Sequence, residues 1–543
     1  MTEDRVATDE TERATFRLEV PELYNFARDV IGRWAEDPAK RAMLWVDERG
    51  ERRELTFRHF AQRSSALADG LRQLGVRQGD RVVVVVAPEP AWWEVFMALL
   101  KLGAIAVPGT SQLTGRDIRY RTELAQATAL ILDESAAAKA DGSFGAESAE
   151  LIRVVVGQRD GWQSYEEVIA SGSMEYRGED TRADDPAILY FTSGTTGYPK
   201  MVMHTHASYP IGHQITGKFW LDLSPNDLHW NLADTGWAKA AWSSLFGPWS
   251  QGAAVFVYRQ YGKPDPARIL SQFGEHRVTS FCGPPTLYRM LVQVDLSRYD
   301  YSSLRSCVAA GEPLNPEVIE TWRQATGHTI RDGYGQTETV VIVANFPGIT
   351  VRPGSMGLPS PTFTVDVIGD DAQPLPPNKE GDIAVRVHPE RPVALFREYW
   401  NDPQATENAY RGDWYITGDR AYRDQDGYLW FVGRADDVII SSAYRIGPFE
   451  VESALVEHPA VVEAAVVGKP DPERGEIVKA FVVLAAGYDG NAALTKELQD
   501  HVKRVTAPYK YPREIEYATD LPKTISGKIR RIELREREQG ESG

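Results

Sequence analysis

The chain has 543 residues, of which 42% are apolar and 25% charged, and its formal net charge is −17 at pH 7. That length predicts at least two domains, the composition is that of a globular protein, and the acidic balance argues against a nucleic-acid partner. The two cysteines are too few for a disulfide framework and favour a reducing, cytoplasmic location. No run approaches the ~18 apolar residues of a membrane span, and the acidic, polar start predicts neither a signal peptide nor a transit peptide.

Alternating strands and helices dominate the first half of the chain. After a predicted frayed tail at residues 1–20, a β-branched run at residues 81–87 predicts a buried strand, and a segment of helical length follows and stops at Gly103. Further strands are predicted at residues 104–108, 130–132, 152–156 and 186–191, with a loop or weak helix at residues 136–150. This order is typical of a parallel α/β sheet, and residues 228–307 predict a second one.

From Val365 the sequence pattern changes to short apolar runs separated by turns. Short strands with turns predict a small β-barrel-like subdomain, at residues 365–368, 382–387 and 428–432. In the C-terminal segment, helices are predicted at residues 449–457 and 493–505, and strands at residues 461–467 and 478–484. We therefore predict an α/β fold in which residues 1–433 form a large N-terminal domain of two α/β sheet subdomains plus the β-barrel-like subdomain. Residues 434–543 are predicted to form a small, mobile α+β C-terminal domain.

Residues 190–200 read YFTSGTTGYPK and predict a phosphate-binding loop that follows a buried strand. Glycines let the backbone turn its N–H groups toward an anion, hydroxyls donate to phosphate oxygens, and Lys200 adds a positive charge. The loop comprises Thr192, Ser193, Gly194, Thr195, Thr196 and Gly197. It is not a Walker loop, because Pro199 stands where that pattern needs a glycine and Met201 follows the lysine in place of Ser or Thr.

Four further segments follow this loop in order, and together the five resemble the adenylate-forming superfamily of acyl-CoA synthetases, peptide-synthetase adenylation domains and luciferases. The segments are Asp332-Gly-Tyr-Gly-Gln-Thr-Glu338, Tyr415-Ile-Thr-Gly-Asp419, residues 433–447 and Pro522-Lys-Thr-Ile-Ser-Gly-Lys-Ile529. The resemblance begins near Phe57. It is closest to the medium-chain acyl-CoA synthetases, through residues 233–237, 444–452 and 506–512.

The resemblance implies a role for each motif in joining a carboxylate to ATP. The loop and Lys200 would hold the triphosphate, Glu338 would bind Mg²⁺, and Asp419 would accept from the ribose hydroxyls. Lys528 would be the catalytic cation, because an ammonium at the α-phosphate cancels the charge that develops as the adenylate forms. The further nucleotide contacts implied are Asp332, Gly333, Tyr334, Gly335, Gln336, Thr337, Gly311, Glu312, Pro313 and Arg434, with Arg445 at the triphosphate or a neighbouring domain.

The family also turns its C-terminal domain after adenylation, which implies a hinge at Asp436 and a site for coenzyme A as co-substrate. The implied CoA residues are Ser442, Ala443, Tyr444, Arg474, Tyr509, Lys510 and Tyr511. Two positions depart from the family pattern. Ala443 replaces a glycine that lines the pantetheine tunnel, which puts the thioester step in question, and Val340 replaces a glycine beside the acyl pocket.

The acyl pocket is predicted to be larger than that of acetyl-CoA synthetases, which carry Trp where this chain has Gly335. Trp237 and Val340, with Cys282 and Gly283, are expected to line it, and an aryl acid would fit as well as a medium alkyl chain.

The leading hypothesis is an ATP-dependent acid–CoA ligase that passes through an acyl-adenylate and releases AMP and pyrophosphate. The alternative is a carboxylate adenylase that hands its acyl group to a carrier-protein thiol, an amine or a small anion. A third hypothesis, a non-catalytic nucleotide-binding scaffold, is disfavoured because it would not need Lys200, Glu338, Asp419 and Lys528 together. The sequence does not indicate the oligomeric state.

Overall fold

The computed structural model describes residues 10–144, 150–192, 200–262, 264–441, 444–472, 474–523 and 528–540. The first large sheet is mostly parallel. In spatial order its strands are Glu398–Tyr399, Lys200–Thr205, Pro186–Thr192, Ile105–Pro108, Arg81–Val85, Ala129–Asp133, Ile152–Val156 and Gln163–Ser164. Lys200–Thr205 returns antiparallel to Pro186–Thr192, so the predicted phosphate loop joins two neighbouring strands. Residues 193–199 of that loop lie outside the described residues.

The second large sheet is also parallel at its centre and antiparallel at its edges. In spatial order its strands are Leu358–Pro359, Val341–Ala344, Ile330–Gly335, Ser306–Ala310, Ser280–Gly283, Leu228–Asn231, Ala254–Arg259, Arg41–Asp47 and Arg52–Thr56. The helices of this N-terminal part are Phe26–Asp29, Ile31–Trp34, Phe57–Leu74, Pro90–Leu102, Gly115–Ala125, Glu134–Ala140, Tyr165–Ser171, Pro266–Glu275, Pro285–Leu291, Pro316–Thr326 and Pro403–Asn408. Shorter helical turns are Asp141–Ser143 and Leu296–Arg298.

One hydrophobic core is shared by the two large sheets. Val82 and Val84 face it together with Met43 and Trp45 of the second sheet, and the helices Phe57–Leu74 and Pro90–Leu102 fill it. Val83 and Val85 point the other way, into a separate core under Gly115–Ala125 and Glu134–Ala140. Because both faces of its strands are buried, the first sheet needs continuous apolar runs, which is why the valine run at residues 81–87 predicted it. The second sheet buries its own outer face under Pro266–Glu275, Pro285–Leu291 and Pro316–Thr326.

A small antiparallel sheet follows. Its strands are Val365–Ile368, Glu380–Arg386, Trp414–Arg423 and Tyr410–Arg411, with Leu429–Arg434 paired to Trp414–Arg423. The C-terminal domain has its own sheet and core, with strands Tyr444–Ile446, Ile439–Ser441, Gly475–Leu484, Val461–Asp471 and Glu514–Tyr517. Its helices are Pro448–Val456, Ala492–Val505 and Arg531–Gly540, with a short turn at Pro508–Lys510. The predicted fold class is confirmed, whereas the boundary between residues 433 and 434 stays a prediction.

Two local predictions change. The frayed tail is wrong for residues 10–16, because residues 10–15 are helical and Phe16 packs edge-on against Phe219, with the ring centres 4.9 Å apart. Arg13 also donates to the carbonyl of Pro347 at 3.2 Å. The segment predicted as a loop or weak helix at residues 136–150 is a helix to Ala140 and a turn to Ser143, and residues 145–149 lie outside the described residues. Among the helices that the structure describes, none is both long and apolar enough to cross a membrane.

Candidate active site

The segment after strand Ile330–Gly335 is the meeting point of the two large sheets and the small sheet. The backbone carbonyl of Thr337 lies 2.7 Å from Nε2 of His204, on the strand that begins with Lys200. The side-chain amide of Gln336 donates to the carbonyl of Thr417, on the small sheet, at 2.8 Å. The motif that resembles the adenine and magnesium segment is therefore fixed from both sides.

Asp419 is a buried carboxylate held by three partners. The hydroxyl of Tyr334 and the amide of Gln336 donate to its Oδ2 at 2.6 and 2.8 Å, and Nε of Arg434 lies 3.6 Å from its Oδ1. Burial raises the pKa of Asp419, and the nearby Arg434 and the hydrogen bond from Tyr334 act against that rise. The carboxylate is thus kept in one orientation, as an acceptor for paired hydroxyls needs to be.

Glu338 and Lys200 come together although 138 positions separate them in the sequence. The hydroxyl of Tyr399 donates to Oε1 of Glu338 at 2.8 Å, and the ammonium of Lys200 lies 4.7 Å from the centre of the Tyr399 ring. Burial raises the pKa of the Glu338 carboxyl, while Tyr399, Lys200 and Arg434 oppose that shift. Thr192 pairs with Lys200 across the strands, so the two described ends of the predicted loop lie side by side.

Asp332 and Gly333 form the start of the same motif and are tightly enclosed. Burial raises the pKa of Asp332 to about 8, and the backbone N–H groups of Gly333 and Leu314 oppose the shift. A side chain at Gly333 would place its Cβ 2.5 Å from the ring of Trp220, so only glycine fits there. Of the predicted adenine loop, Gly311 has φ +114° and Pro313 is half-buried, while Glu312 pairs with Arg289 at 3.2 Å.

Lys528 approaches this site from the C-terminal domain. The residue keeps an exposed surface, yet partial loss of hydration lowers the pKa of its ammonium. Glu312 and Asp419 act in the opposite direction, and Arg434 reinforces the lowering. Lys528 therefore lies within electrostatic range of both the predicted ribose carboxylate and the predicted adenine loop. Residues 524–527 of its motif lie outside the described residues.

The predicted hinge residue lies between the small antiparallel sheet and the last helix of the C-terminal domain. Oδ1 of Asp436 lies 3.6 Å from Nε of Arg434, at the end of strand Leu429–Arg434. The backbone carbonyl of Asp436 accepts from Nη1 of Arg535 at 2.7 Å, and Arg535 also pairs with Asp437. Helix Arg531–Gly540 is thus bound directly to the hinge segment.

The predicted CoA residues divide into two groups. The rings of Tyr444 and Tyr509 stack on an exposed face with their centres 4.2 Å apart, and Lys510 pairs with Glu450 at 2.5 Å. Tyr511 instead packs elsewhere, with the ammonium of Lys503 4.1 Å from its ring centre. Arg445 and Arg474 are exposed, and Ser442 and Ala443 lie outside the described residues.

Gly335 was expected to leave a wall of the acyl pocket open, and that expectation stays a prediction. A Cβ at this position would lie 2.2 Å from the carbonyl of Val340 and 2.6 Å from the ring of Trp242. Trp242 therefore stands beside the place that the missing side chain would take. Its indole N–H donates to the hydroxyl of Tyr209 at 2.9 Å, and that hydroxyl donates to the carbonyl of Thr337 at 3.0 Å. Val340 is fully buried, and Trp237 is half-buried.

Trp242 and Tyr209 were not predicted as site residues, because aromatic residues in an apolar run read as core. They lie on two helical runs with wide turns, in which Gly212 donates to Ala207 and Gly247 to Trp242, five residues back. Such turns are frequent at functional sites. The pieces of these runs are Ala207–Ile211, His213–Ile215, Thr216–Trp220, Ala238–Ala240, Ala241–Phe246 and Gly247–Ser250.

Lys239 is a further lysine at this site that sequence reasoning missed. Its ammonium donates to the carbonyl of Ala310 at 3.0 Å, directly before the predicted adenine loop. Burial lowers the pKa of Lys239, and the nearby Cys282 and Glu312 oppose that shift. No motif singles out this lysine, since its partners come from distant strands. Cys282 itself is fully buried.

Comparisons with known proteins cover nearly the whole chain. Residues 32–400 match the family model "AMP-binding enzyme", and residues 450–528 match "AMP-binding enzyme C-terminal domain". The acyl-coenzyme A synthetase ACSM3, mitochondrial, of Mus musculus is 48% identical over 97% of this chain and 93% of its own length. The crystal structure of the anthranilate CoA ligase AuaEII in complex with anthranoyl-AMP is similar with a TM-score of 0.88, at 32% identity over 96% of this chain and 99% of that one. A benzoate CoA ligase from Burkholderia xenovorans LB400 gives a TM-score of 0.84, at 30% identity over 94% and 100% of the two chains.

Proposed function

The chain belongs to the AMP-binding enzyme family, among its acyl-coenzyme A synthetases, and from that premise we propose that it activates a medium-chain or aryl carboxylic acid. It is an ATP-dependent acid–thiol ligase that forms an acyl-adenylate, transfers the acyl group to CoA and releases AMP and pyrophosphate. The observation that carries this proposal is the convergence of Lys200, Glu338, Asp419 and Lys528 on one site within a chain similar to such ligases from end to end.

In the proposed adenylation step, the site holds ATP at three points. Asp419 accepts from the ribose hydroxyls, and Lys200 with the loop at residues 192–197 binds the triphosphate. Lys528 then places its ammonium where the α-phosphate and the substrate carboxylate meet. The two anions repel each other, and a preorganised cation between them stabilises the transition state more than the separate reactants.

Mg²⁺ fits this arrangement as a partner of the nucleotide. Among the described residues, no group of three or more His, Cys, Asp or Glu side chains is placed to hold a metal ion by itself. Glu338 offers one buried carboxylate close to Lys200, and Mg²⁺ is commonly held by one or two carboxylates together with phosphate oxygens. Bound in this way, Mg²⁺ would neutralise phosphate charge, and Glu338 would orient it.

For the thioester step, we propose that the C-terminal domain, residues 434–543, turns about Asp436. This movement withdraws Lys528 and brings the face with Tyr444, Tyr509 and Arg474 toward CoA. A stacked tyrosine pair offers a surface for the adenine ring, and arginine pairs with phosphate.

The alternative acceptor is a carrier-protein thiol, an amine or a small anion, and Ala443 is the residue that motivates it. An added methyl group in the pantetheine tunnel would hinder CoA more than a small nucleophile. CoA-dependent release of AMP separates the two possibilities, because a CoA ligase turns over only when CoA is present, whereas an adenylase with another acceptor does not respond to it.

The acid itself is proposed from the pocket beside Gly335. Trp242 and Val340 fill part of that space with flat and branched apolar surface, which suits an aromatic ring or a medium alkyl chain better than a charged acid. The printed names of two structural neighbours, an anthranilate and a benzoate CoA ligase, agree with an aryl acid.

A panel of carboxylates tests the proposal. Acids from acetate to decanoate, with benzoate and anthranilate, are assayed for pyrophosphate release with and without CoA. We expect release with medium-chain or aryl acids and product acyl-CoA in the presence of CoA. Acid-dependent release without any acyl-CoA would favour the alternative acceptor, and no release with any acid would contradict the proposed function.

The cellular location is tested directly by cell fractionation. The cytoplasmic location was predicted from the cysteine content and the polar start, whereas the related acyl-coenzyme A synthetases carry the word mitochondrial in their names. Fractionation of cells that produce the protein, followed by an antibody assay, would decide between the two.

A further inference from the structure

Asn315 precedes helix Pro316–Thr326 but does not cap it. An asparagine at this position ordinarily accepts a hydrogen bond from the first turn of its own helix and stabilises it. The side chain of Asn315 makes no such bond, although the residue is only 5% exposed. Instead of capping the helix, the side chain of Asn315 forms hydrogen bonds with two partners outside it.

These partners lie on opposite sides of the domain junction. Oδ1 of Asn315 accepts from Nη1 of Arg289 at 3.4 Å, and Nη2 of Arg289 binds Glu312 of the predicted adenine loop at 3.2 Å. Nδ2 of Asn315 donates to the hydroxyl of Ser453 at 3.1 Å. Ser453 belongs to helix Pro448–Val456 of the C-terminal domain, so the contact bridges the two domains.

The same C-terminal helix holds the segment that carries Lys528. Glu452, the neighbour of Ser453, accepts from Nε and Nη2 of Arg531 at 3.0 and 2.8 Å on one oxygen, with a further bond of 2.7 Å to the other. Glu452 also accepts from the backbone N–H of Val466 at 2.8 Å, which fixes the carboxylate to the domain's sheet. Arg531 comes three positions after Lys528 in the sequence. A shift of Ser453 therefore shifts the base of the Lys528 segment.

The rest of this junction includes an unfavourable pair. Glu457, one turn after Ser453, faces Glu317 of helix Pro316–Thr326, and burial together with this like charge raises the pKa of Glu457. On its own domain, Nε2 of His501 lies 3.8 Å from Glu457. The two carboxylates repel each other across the junction, so the neutral hydrogen bond from Asn315 to Ser453 is needed to hold the domains in this orientation. A single neutral hydrogen bond is weak enough to break when the domain turns.

We propose that Asn315 and Ser453 are positioning residues that hold the C-terminal domain in the orientation that presents Lys528 to ATP. The chain of contacts runs from Glu312 through Arg289, Asn315, Ser453 and Glu452 to Arg531. The proposal rests on the proposed function, since it assigns the contact to the adenylation step. After the domain turns, the contact is broken, so it has no part in acyl transfer to CoA.

The test separates the two half-reactions in Ser453→Ala, Asn315→Ala and the double variant. Acid-dependent exchange between pyrophosphate and ATP measures adenylation, and acyl-CoA formation from supplied octanoyl- or benzoyl-adenylate measures transfer. Losing one neutral hydrogen bond should slow exchange by about 3- to 10-fold and leave transfer unchanged. The double variant should be no slower than the slower single variant, because both changes remove the same bond. Ser271→Ala removes a helix hydroxyl whose described partners, Arg268 and Gln272, lie on its own helix, and should change neither rate.

Unchanged exchange in both single variants, equal slowing of both half-reactions, or additive losses in the double variant would overturn the proposal. A readout without activity distinguishes it from the proposed function. Spin labels on cysteines introduced at Arg323 and Glu497, exposed positions in the two domains, report the distance between the domains by pulsed electron resonance. We expect Ser453→Ala to broaden that distance distribution in the presence of Mg²⁺ and a non-hydrolysable ATP analogue. An unchanged distribution would contradict the positioning role even if the wild type exchanges no pyrophosphate with any acid.

Discussion

The two halves of the active site are held in place in different ways. Asp419, on the N-terminal side, is bound by Tyr334 and Gln336 and faces Arg434, at the end of strand Leu429–Arg434. Lys528, on the C-terminal side, reaches the same site from a separate domain with its own core. Between the domains, the side-chain hydrogen bond from Asn315 to Ser453 lies beside a repelling pair of glutamates. The N-terminal half of the site is thus preorganised and the C-terminal half is brought in by a separate domain, which agrees with the proposed mechanism, in which Lys528 acts in the adenylation step only.

The largest expected effect comes from removing the Lys528 ammonium, which the C-terminal domain brings to the site. Lys528→Ala should lower pyrophosphate exchange by about 10²- to 10³-fold, the size of losing one preorganised charge, and should spare transfer from a supplied acyl-adenylate. Lys496→Ala, which removes an exposed lysine paired with Asp500, serves as the matched control. Equal losses in adenylation and in acyl transfer would contradict the proposal that Lys528 acts in adenylation only.

A smaller effect is expected from weakening the preorganised half. Asp419→Asn removes the charge that faces Arg434 and should lower kcat/KM for ATP by about 10- to 100-fold, as expected for charge-assisted hydrogen bonds. Tyr334→Phe keeps the carboxylate but removes one of its donors, so its loss should be several-fold smaller. Steady-state kinetics at saturating acid measures both, and a Tyr334→Phe loss as large as that of Asp419→Asn would contradict the assigned role.

We propose that the acyl pocket lies beside Gly335 on the N-terminal side, and Trp242 tests that placement. Trp242→Ala should shift the ratio of kcat/KM between bulkier and smaller acids by about 10-fold toward the bulkier ones, because apolar pockets discriminate modestly. Gly335→Trp is a poor test, since any Cβ at that position meets the carbonyl of Val340. Trp242→Phe should retain most of the original preference, and an unchanged ratio in Trp242→Ala would remove Trp242 from the pocket.

The smallest effect concerns stability and pH. Burial raises the folded-state pKa of Asp332 from its ordinary value to about 8, so the native protein holds a proton that the unfolded chain releases. The wild type should therefore lose stability as pH rises between about 4 and 8. Asp332→Asn lacks this titration, so its Tm relative to the wild type should rise by a few degrees from pH 5 to pH 8. Parallel Tm profiles for the two proteins would show that Asp332 is ionised in the folded state.

The same contrast explains how much the sequence could reveal. The valine run at residues 81–87 and the stop at Gly103 predicted local structure, because burial on both faces and a left-handed turn each leave a local signature. Asp419, Glu338 and Lys528 lie in short continuous motifs, so their resemblance to a known family was visible in the sequence.

Contacts between distant residues left no such trace. Asn315 and Ser453 are 138 positions apart, and nothing in either segment indicates a partner. In the sequence, Trp242 and Lys239 look like part of an apolar helix. Their contacts with Gly335 and Ala310 depend on which strands fold beside that helix. The neighbours of Gly335 were hidden for the same reason, because Trp242 comes from another part of the chain.

A crystal structure with Mg²⁺ and a non-hydrolysable ATP analogue would decide whether two lysines from different domains act on one nucleotide. We expect the ribose against Asp419, the β- and γ-phosphates beside Lys200, and the ammonium of Lys528 at the α-phosphate. A nucleotide bound away from Asp419, or one bound there with Lys528 turned out of the site and adenylation intact, would contradict this mechanism.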